Sequence, residues 1–312
     1  DWGGHLPAVY GHEAAGIITG IGTDVSYYKI GDTVLVTLIR SCGECISCST
    51  GKPTCCETRY DVVSGPLQTL GGGAMQQGLA TGAFAEKVVV DQSQIQTIPE
   101  DISMASASLL ACGVITGMGA VTNTAQVSTG STVVVIGAGG VGLNAIQGAA
   151  IAGASKIIAI DVSKEKLDAA KEFGATDGIL TSEEKPYRIV KKMTGGRGVD
   201  YVFVTVGSIP AYESASRFLS VGGSVVMVGM PPSGAKVAIE PVILATTSQS
   251  LLGSYMGSSV LKKDIPILIN LYQQGRLKLD ELVTRQYSLN EINEAVNDVK
   301  LGNTRRNVIV FD

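Results

Sequence analysis

The chain has 312 residues, room for two or three domains at roughly 100 to 200 residues each, which excludes a small module held together by disulfides alone. Apolar residues make up 45 % and charged residues 17 %, so there is enough hydrophobic material to offset the entropy of ordering, and intrinsic disorder is excluded. Lys plus Arg number 24 against 28 Asp plus Glu, a formal net charge of −4 with no basic block, which argues against nucleic acid and anionic membrane as partners. No uncharged apolar run is read as long enough for a spanning helix, since the stretch 131–154 is broken by repeated glycines. No signal peptide is visible, so a cytoplasmic location is expected. The chain opens at Asp1-Trp2-Gly3-Gly4 without an initiator Met, which reads as a missing N-terminus.

The first third, to about Cys112, carries short β-branched runs set apart by glycine and turn residues: Gly16 to Thr19, Thr33 to Ile39 and Phe84 to Val90. It reads as a strand-rich, irregular domain. From Gly113 onward, apolar strands alternate with amphipathic segments: Thr132 to Ile136, Val141 to Ala152, Lys156 to Ile160 and Lys164 to Phe173. This is βαβ alternation. Tyr201 to Val206 and Ser224 to Val228 extend the same sheet as continuously apolar strands, each followed by a glycine, Gly207 and Gly229. The amphipathic stretch Lys262 to Gln274, the polar segment Ser288 to Leu301 and a last strand, Asn307 to Phe311, return to the first domain. The expected division is residues 1–113 with 256–312, and residues 114–255.

Gly137-Ala138-Gly139-Gly140-Val141-Gly142 fits GxGxxG directly after a strand and at the opening of a helix. The first glycine permits a tight turn, the second lets backbone approach a pyrophosphate, and the third lets the helix pack on the strand. The helix start offers amide donors to phosphate. Asp161, nineteen residues past Gly142, stands at the end of the next strand. A carboxylate there accepts from an adenosine ribose and repels a 2′-phosphate, which favours NAD over NADP.

Five of the six cysteines fall between residues 42 and 56, as Cys42-x2-Cys45-x2-Cys48 and then Cys55 and Cys56. Four thiolates at these spacings can enclose one tetrahedral Zn²⁺ with no open position, a structural site. Either Cys55 or Cys56 could close the shell on spacing alone. The sixth cysteine, Cys112, falls near the seam between the two expected domains, where ligand clefts form. The chain has two histidines, His5 and His12, and the second begins a His12-Glu13 pair. An imidazole and a thiolate could hold a second zinc there.

Together, Gly11-His12-Glu13-Ala14-Ala15-Gly16, the cysteine lobe, Cys112-Gly113-Val114-Ile115-Thr116-Gly117 and the Gly137 to Gly142 turn followed by Asp161 resemble the zinc-dependent medium-chain alcohol dehydrogenases. The likeness runs from residue 7 to the C-terminus. It implies an α/β fold: a GroES-like, β-rich catalytic domain interrupted by a Rossmann domain with a doubly wound parallel sheet. It also implies that His12 and Cys112 ligate a catalytic zinc with Glu13 tuning the shell, and that Cys42, Cys45, Cys48 and Cys56 hold a structural zinc, leaving Cys55 spare. By the same resemblance Thr116, Val141, Lys166 and Arg306 contact the dinucleotide, with Arg306 directed at its pyrophosphate, while Leu38 and Met230 line the substrate pocket. The family's first zinc-ligating cysteine, and the Ser or Thr beside it, precede the eleven residues before His12 and are absent here.

The resemblance implies reversible oxidation of an alcohol to an aldehyde or ketone, with zinc as Lewis acid and NAD as hydride acceptor. Oxidation of S-hydroxymethylglutathione, the glutathione-dependent formaldehyde reaction, is the alternative enzyme, and a catalytically incomplete dinucleotide-binding protein is the alternative of another class. A homodimer or homotetramer is expected.

Overall fold

The apolar runs of the central third become one parallel sheet because both faces are covered. In the computed structural model, which describes residues 6–60, 65–182, 185–302 and 304–311, its six strands lie in the spatial order Ser250–Gly253, Leu219–Met227, Val199–Val204, Thr132–Ile136, Lys156–Asp161 and Asp177–Leu180. Val134 stands opposite Ile158 on one side and Val202 on the other. These residues, with Ile136, Ile160, Val204, Val225 and Phe218, form a core almost without solvent exposure, which is why the strands read as unbroken hydrophobic runs rather than alternating ones. Chain order reverses between Thr132–Ile136 and Val199–Val204. That reversal is the switch point of a doubly wound sheet, where ligands bind beyond the carboxyl ends of the strands.

Helices Gly140–Ile151, Lys164–Glu172, Pro186–Met193, Ile209–Ala215 and Pro241–Thr247 connect or flank these strands. The first packs closely on Ile115–Gly119. A Cβ on Gly117 would fall 2.4 Å from the Val141 carbonyl oxygen, and one on Gly148 would fall 3.2 Å from Val121.

The chain divides into two compact units, Asp1–Cys112 with Ser259–Asp312, and Gly113–Ser258. In the first, Glu13–Ile17, Thr33–Thr37 and Ile95–Thr97 make a three-stranded antiparallel sheet, with Glu13 opposite Thr37 and Val36 opposite Ile95. The C-terminal segment adds helices Leu261–Gln273 and Ile292–Leu301 and a parallel pair, Val283–Tyr287 with Arg306–Ile309. Ser106 Oγ donates to Asp280 Oδ1 at 2.5 Å, binding that segment to the helix Met104–Leu109 across 174 residues of chain.

Two expectations fail. Phe84 to Val90 forms no strand. Val88 and Val90 do pack against Val34, Val36 and Ile95, but the Val89 carbonyl accepts from the Gln77 side-chain amide at 2.6 Å rather than from a neighbouring strand. The alternation there reports burial, not a ladder. The second concerns apolar length: the helical stretch Met104–Thr124, 21 residues without a charge, is long and apolar enough by composition to cross a membrane. Its most apolar window is 83 % buried inside the fold, the environment of a core helix. It contains two π-helical turns, Leu110–Val114 and Ala120–Thr124.

Candidate functional site

The cysteine lobe is built from a short helix, Ile46–Ser49, and a 3₁₀ turn, Pro53–Cys55. These bring Cys42, Cys45, Cys48 and Cys56 together, with all four sulfurs within 4.8 Å of one another. Cys42 and Cys48 Sγ stand 4.0 Å apart, close to the roughly 3.8 Å edge of a tetrahedron with a Zn–S bond of about 2.3 Å. Backbone amides aim at the sulfurs: those of Glu44 and Cys45 donate to Cys42 Sγ at 3.4 and 3.3 Å, and that of Glu57 donates to Cys45 Sγ at 3.5 Å. Cys55 is exposed and points to Thr54 instead. Cys42 and Cys48 are held unequal. A hydroxyl bond from Thr58, then the amides of Cys45 and Glu44, pull Cys42 down to about 6, while burial, then the neighbouring thiols, push Cys48 up to about 12. A divalent ion removes that conflict by deprotonating its thiol ligands. The donor set fits zinc.

A second cluster joins residues a hundred positions apart. One ligand atom each from His12, Glu13 and Cys112 lies within 4.8 Å of the others, and His12 Nε2 is 3.8 Å from Glu13 Oε1. Gly11 sets the approach. Its φ is +93°, and a Cβ there would fall 2.6 Å from the Phe84 amide nitrogen, because the Ala83 and Phe84 amides donate to the Gly11 and Tyr10 carbonyls. Glu13 opens a strand opposite Thr37, and Thr37 Oγ1 donates at 2.6 Å to the Ala111 carbonyl, next to Cys112. One fully buried hydroxyl thus draws the strand bearing Glu13 and the π-helical turn bearing Cys112 to a common point. Irregular turns of this kind are frequent at functional sites.

Burial lowers the His12 pKa against the opposing pull of Glu13, with Arg306 adding to the lowering. The neutral imidazole that metal coordination needs is therefore favoured. Arg306 Nη2 donates to both Glu13 oxygens, at 2.9 and 3.2 Å. The structure thus places Arg306 on Glu13, with its Nε buried and unpartnered. The imidazole, thiolate and carboxylate donors fit zinc. His5 lies outside the described residues.

In the other unit, Gly137 has a φ of +96° and turns the chain off Thr132–Ile136. A Cβ on Gly142 would collide with the Gly137 carbonyl oxygen at 1.8 Å, whereas one on Gly139 would meet nothing within 4 Å. The open side of Gly139 is the cradle a pyrophosphate needs, and the helix that begins at Gly140 and Val141 has no side-chain cap to compete for its leading amides. Asp161 is 8 % exposed. Its Oδ2 accepts from the Ala138 amide at 2.7 Å and its Oδ1 from the Ser163 amide at 3.0 Å. The carboxylate therefore braces the glycine turn and the cap of the next helix, where Lys166 donates its amide to Ser163 Oγ. Thr116 is buried, with Oγ1 3.7 Å from Met256 Sδ, and its neighbour Gly117 lies against Val141.

Leu38 follows the strand Thr33–Thr37, and Met230 follows Leu219–Met227 and is half exposed. They belong to different units. Sequence reasoning missed Thr37 and Phe84. A threonine inside an apolar strand was the available signal for the first. Phe84, 40 % exposed beside Gly11, left none. It also missed Thr205, whose Oγ1 donates to the Ile136 and Gly137 carbonyls at 3.0 and 2.8 Å and fixes the turn from the adjacent strand end.

Residues 2–100 match the alcohol dehydrogenase GroES-like domain, and residues 140–274 match the zinc-binding dehydrogenase family. The chain is 34 % identical to an NDMA-dependent alcohol dehydrogenase of Amycolatopsis methanolica, over 98 % of this chain and 84 % of that one. It is 36 % identical to a probable S-(hydroxymethyl)glutathione dehydrogenase 1 of Schizosaccharomyces pombe, over 98 % of this chain and 83 % of that one. Benzyl alcohol dehydrogenase from Acinetobacter calcoaceticus has a similar structure, with a TM-score of 0.92 and 33 % identity, covering 98 % of this chain and 85 % of that one. With its GroES-like and Rossmann parts, its four-cysteine lobe and these relatives, the chain belongs to the zinc-dependent medium-chain alcohol dehydrogenases, a family of oxidoreductases.

Proposed function

We propose that this protein oxidises an alcohol reversibly to an aldehyde or ketone with NAD, using a zinc held by His12 and Cys112. The observation that carries the reading is the convergence of His12, Glu13 and Cys112. When bound, zinc supplies Lewis acidity at the substrate oxygen and NAD supplies hydride acceptance. His12 enters neutral because burial disfavours its charged form. Arg306 holds the Glu13 carboxylate beside the ligand atoms, so the local charge stays balanced. Asp161, already accepting two amides, keeps lone pairs for a ribose hydroxyl, and its charge opposes a 2′-phosphate. Leu38 and Phe84, close in sequence or space to Thr37 and Gly11 beside the cluster, are apolar, which favours a medium-sized aliphatic or aromatic alcohol. Homo-oligomer formation through the exposed edge strand Ser250–Gly253 is part of the same reading.

The S. pombe relative motivates S-hydroxymethylglutathione as a second substrate reading. Steady-state kinetics with NAD and NADP against benzyl alcohol, a short aliphatic alcohol and S-hydroxymethylglutathione tests both. The first reading expects kcat/KM highest for a simple alcohol with NAD. A preference for the glutathione adduct selects the second, and a preference for NADP overturns the role given to Asp161.

A further inference from the structure

The parallel sheet has a second end. Opposite the glycine turn, where the strands Val199–Val204, Leu219–Met227 and Ser250–Gly253 begin, lies a cavity of about 570 Å³, within the size range of small-molecule sites. Lys191, Arg197 and Arg217 line it, and among the described residues no carboxylate does. Lys191 Nζ donates to the Leu219 and Arg197 carbonyls at 2.9 and 3.3 Å, which anchors the ammonium at the rim. Arg197 gives Nη2 to Asp200 at 2.6 Å and keeps its other donors. Arg217 lies 5.7 Å from the centre of the Tyr187 ring, with no carboxylate partner among the described residues.

Two buried polar atoms in this lining are unsatisfied. Ser220 is 2 % exposed and its Oγ has no hydrogen-bond partner. Gln249 donates through Nε2 to the Ser220 carbonyl at 3.3 Å, while its Oε1 is buried and unpartnered. Native proteins rarely leave such groups unpaired, and the two residues are joined by the bond from Gln249 to the Ser220 carbonyl. Gln249 Oε1 requires a donor, Ser220 Oγ accepts or donates, and with Arg197 paired to Asp200 the charges of Lys191 and Arg217 suit an anion rich in acceptor oxygens. A phosphomonoester carries close to two negative charges at neutral pH, and a hydroxylated skeleton supplies the missing donor. We propose that this cavity is a binding site for a small phosphorylated polyol, separate from the dinucleotide turn at the other end of the same strands.

Titration calorimetry with glycerol 2-phosphate tests this, with ADP-ribose present at saturation to fill the glycine turn. The expected result is binding that persists under ADP-ribose, exceeds that of inorganic phosphate, and weakens at least tenfold in Arg217→Ala, whose exposed side chain leaves the fold intact. Ser220→Ala, nearly isosteric, is expected to erase the preference for glycerol 2-phosphate over inorganic phosphate. No binding, displacement by ADP-ribose, or unchanged affinity in Arg217→Ala overturns the proposal.

Discussion

Thr37 serves two partners through one hydroxyl: it donates to the Ala111 carbonyl and accepts from the Ile39 amide at 3.4 Å, in a position with no solvent exposure. Thr37→Val keeps the volume but removes a buried hydrogen bond to the Ala111 carbonyl, a loss of about 0.5–1.5 kcal/mol. Denaturant unfolding is expected to show that loss, and zinc retention at His12 and Cys112 to fall with it, because the strand and the π-helical turn lose their shared tie. Cys55 and Cys56 make a sharper pair, since they are neighbours with opposite surroundings. Cys56→Ser is expected to lose about one zinc per chain by elemental analysis, whereas Cys55→Ser retains the full complement. Equal losses would mean that the exposed thiol takes part in the shell.

At the scale of the element, the glycine turn separates folding from binding. Gly139→Ala adds a methyl group where the protein has nothing within 4 Å, so its melting temperature is expected to match wild type while dinucleotide affinity falls. Gly142→Ala drives a Cβ into the Gly137 carbonyl oxygen at 1.8 Å, so the helix must move off its strand and stability itself falls by about 1–3 kcal/mol or more. Calorimetry and dinucleotide titration of both variants check the split. The opposite ends of the strands depend on Asp200, whose Oδ2 accepts from the Thr132 amide at 2.8 Å and its hydroxyl at 2.9 Å. Burial opposes ionisation, but the bonds from Arg197 and Thr132 outweigh it and hold the carboxyl below its usual value. A depressed carboxyl stabilises the fold fully above its unfolded value near 4 and ceases to do so as pH falls through the folded value. Asp200→Asn is therefore expected to be less stable than wild type by about 1–2 kcal/mol at pH 7. The two should converge in acid, as urea unfolding across pH would show. These elements were legible because glycine spacing and continuous apolar runs encode local backbone and two-sided burial. The strand expected at Phe84 to Val90 was not, since the side-chain amide of Gln77, not the local pattern, decides where the Val89 carbonyl bonds.

Across the whole molecule, the two units carry separate cores, one around Val134, Val202 and Phe218 and the other around Val34, Val36 and Ile95. Chelation of the lobe zinc is expected to raise amide hydrogen exchange across residues 42–57 and to leave the strands Thr132–Ile136 and Val199–Val204 protected. Loss of protection in both would refute local control by the metal. The four-cysteine lobe was readable because its ligands crowd into fifteen positions. The bond between Arg306 and Glu13 spans 293 residues, and no spacing rule reaches that far, so only the family resemblance offered Arg306 a role, and that at a pyrophosphate. The turn Leu110–Val114 has a further consequence, for chain length. A π-helical turn accommodates one residue more than a regular helix uses. Deleting Leu110 or Ala111 would let the helix close at ordinary pitch, so that the flanking segments keep their register while the widened turn that carries Cys112 is lost and its thiol shifts away from the imidazole of His12. Point substitutions in this stretch change packing by degrees, whereas a deletion of a single codon there would part the cluster of His12, Glu13 and Cys112 at one stroke.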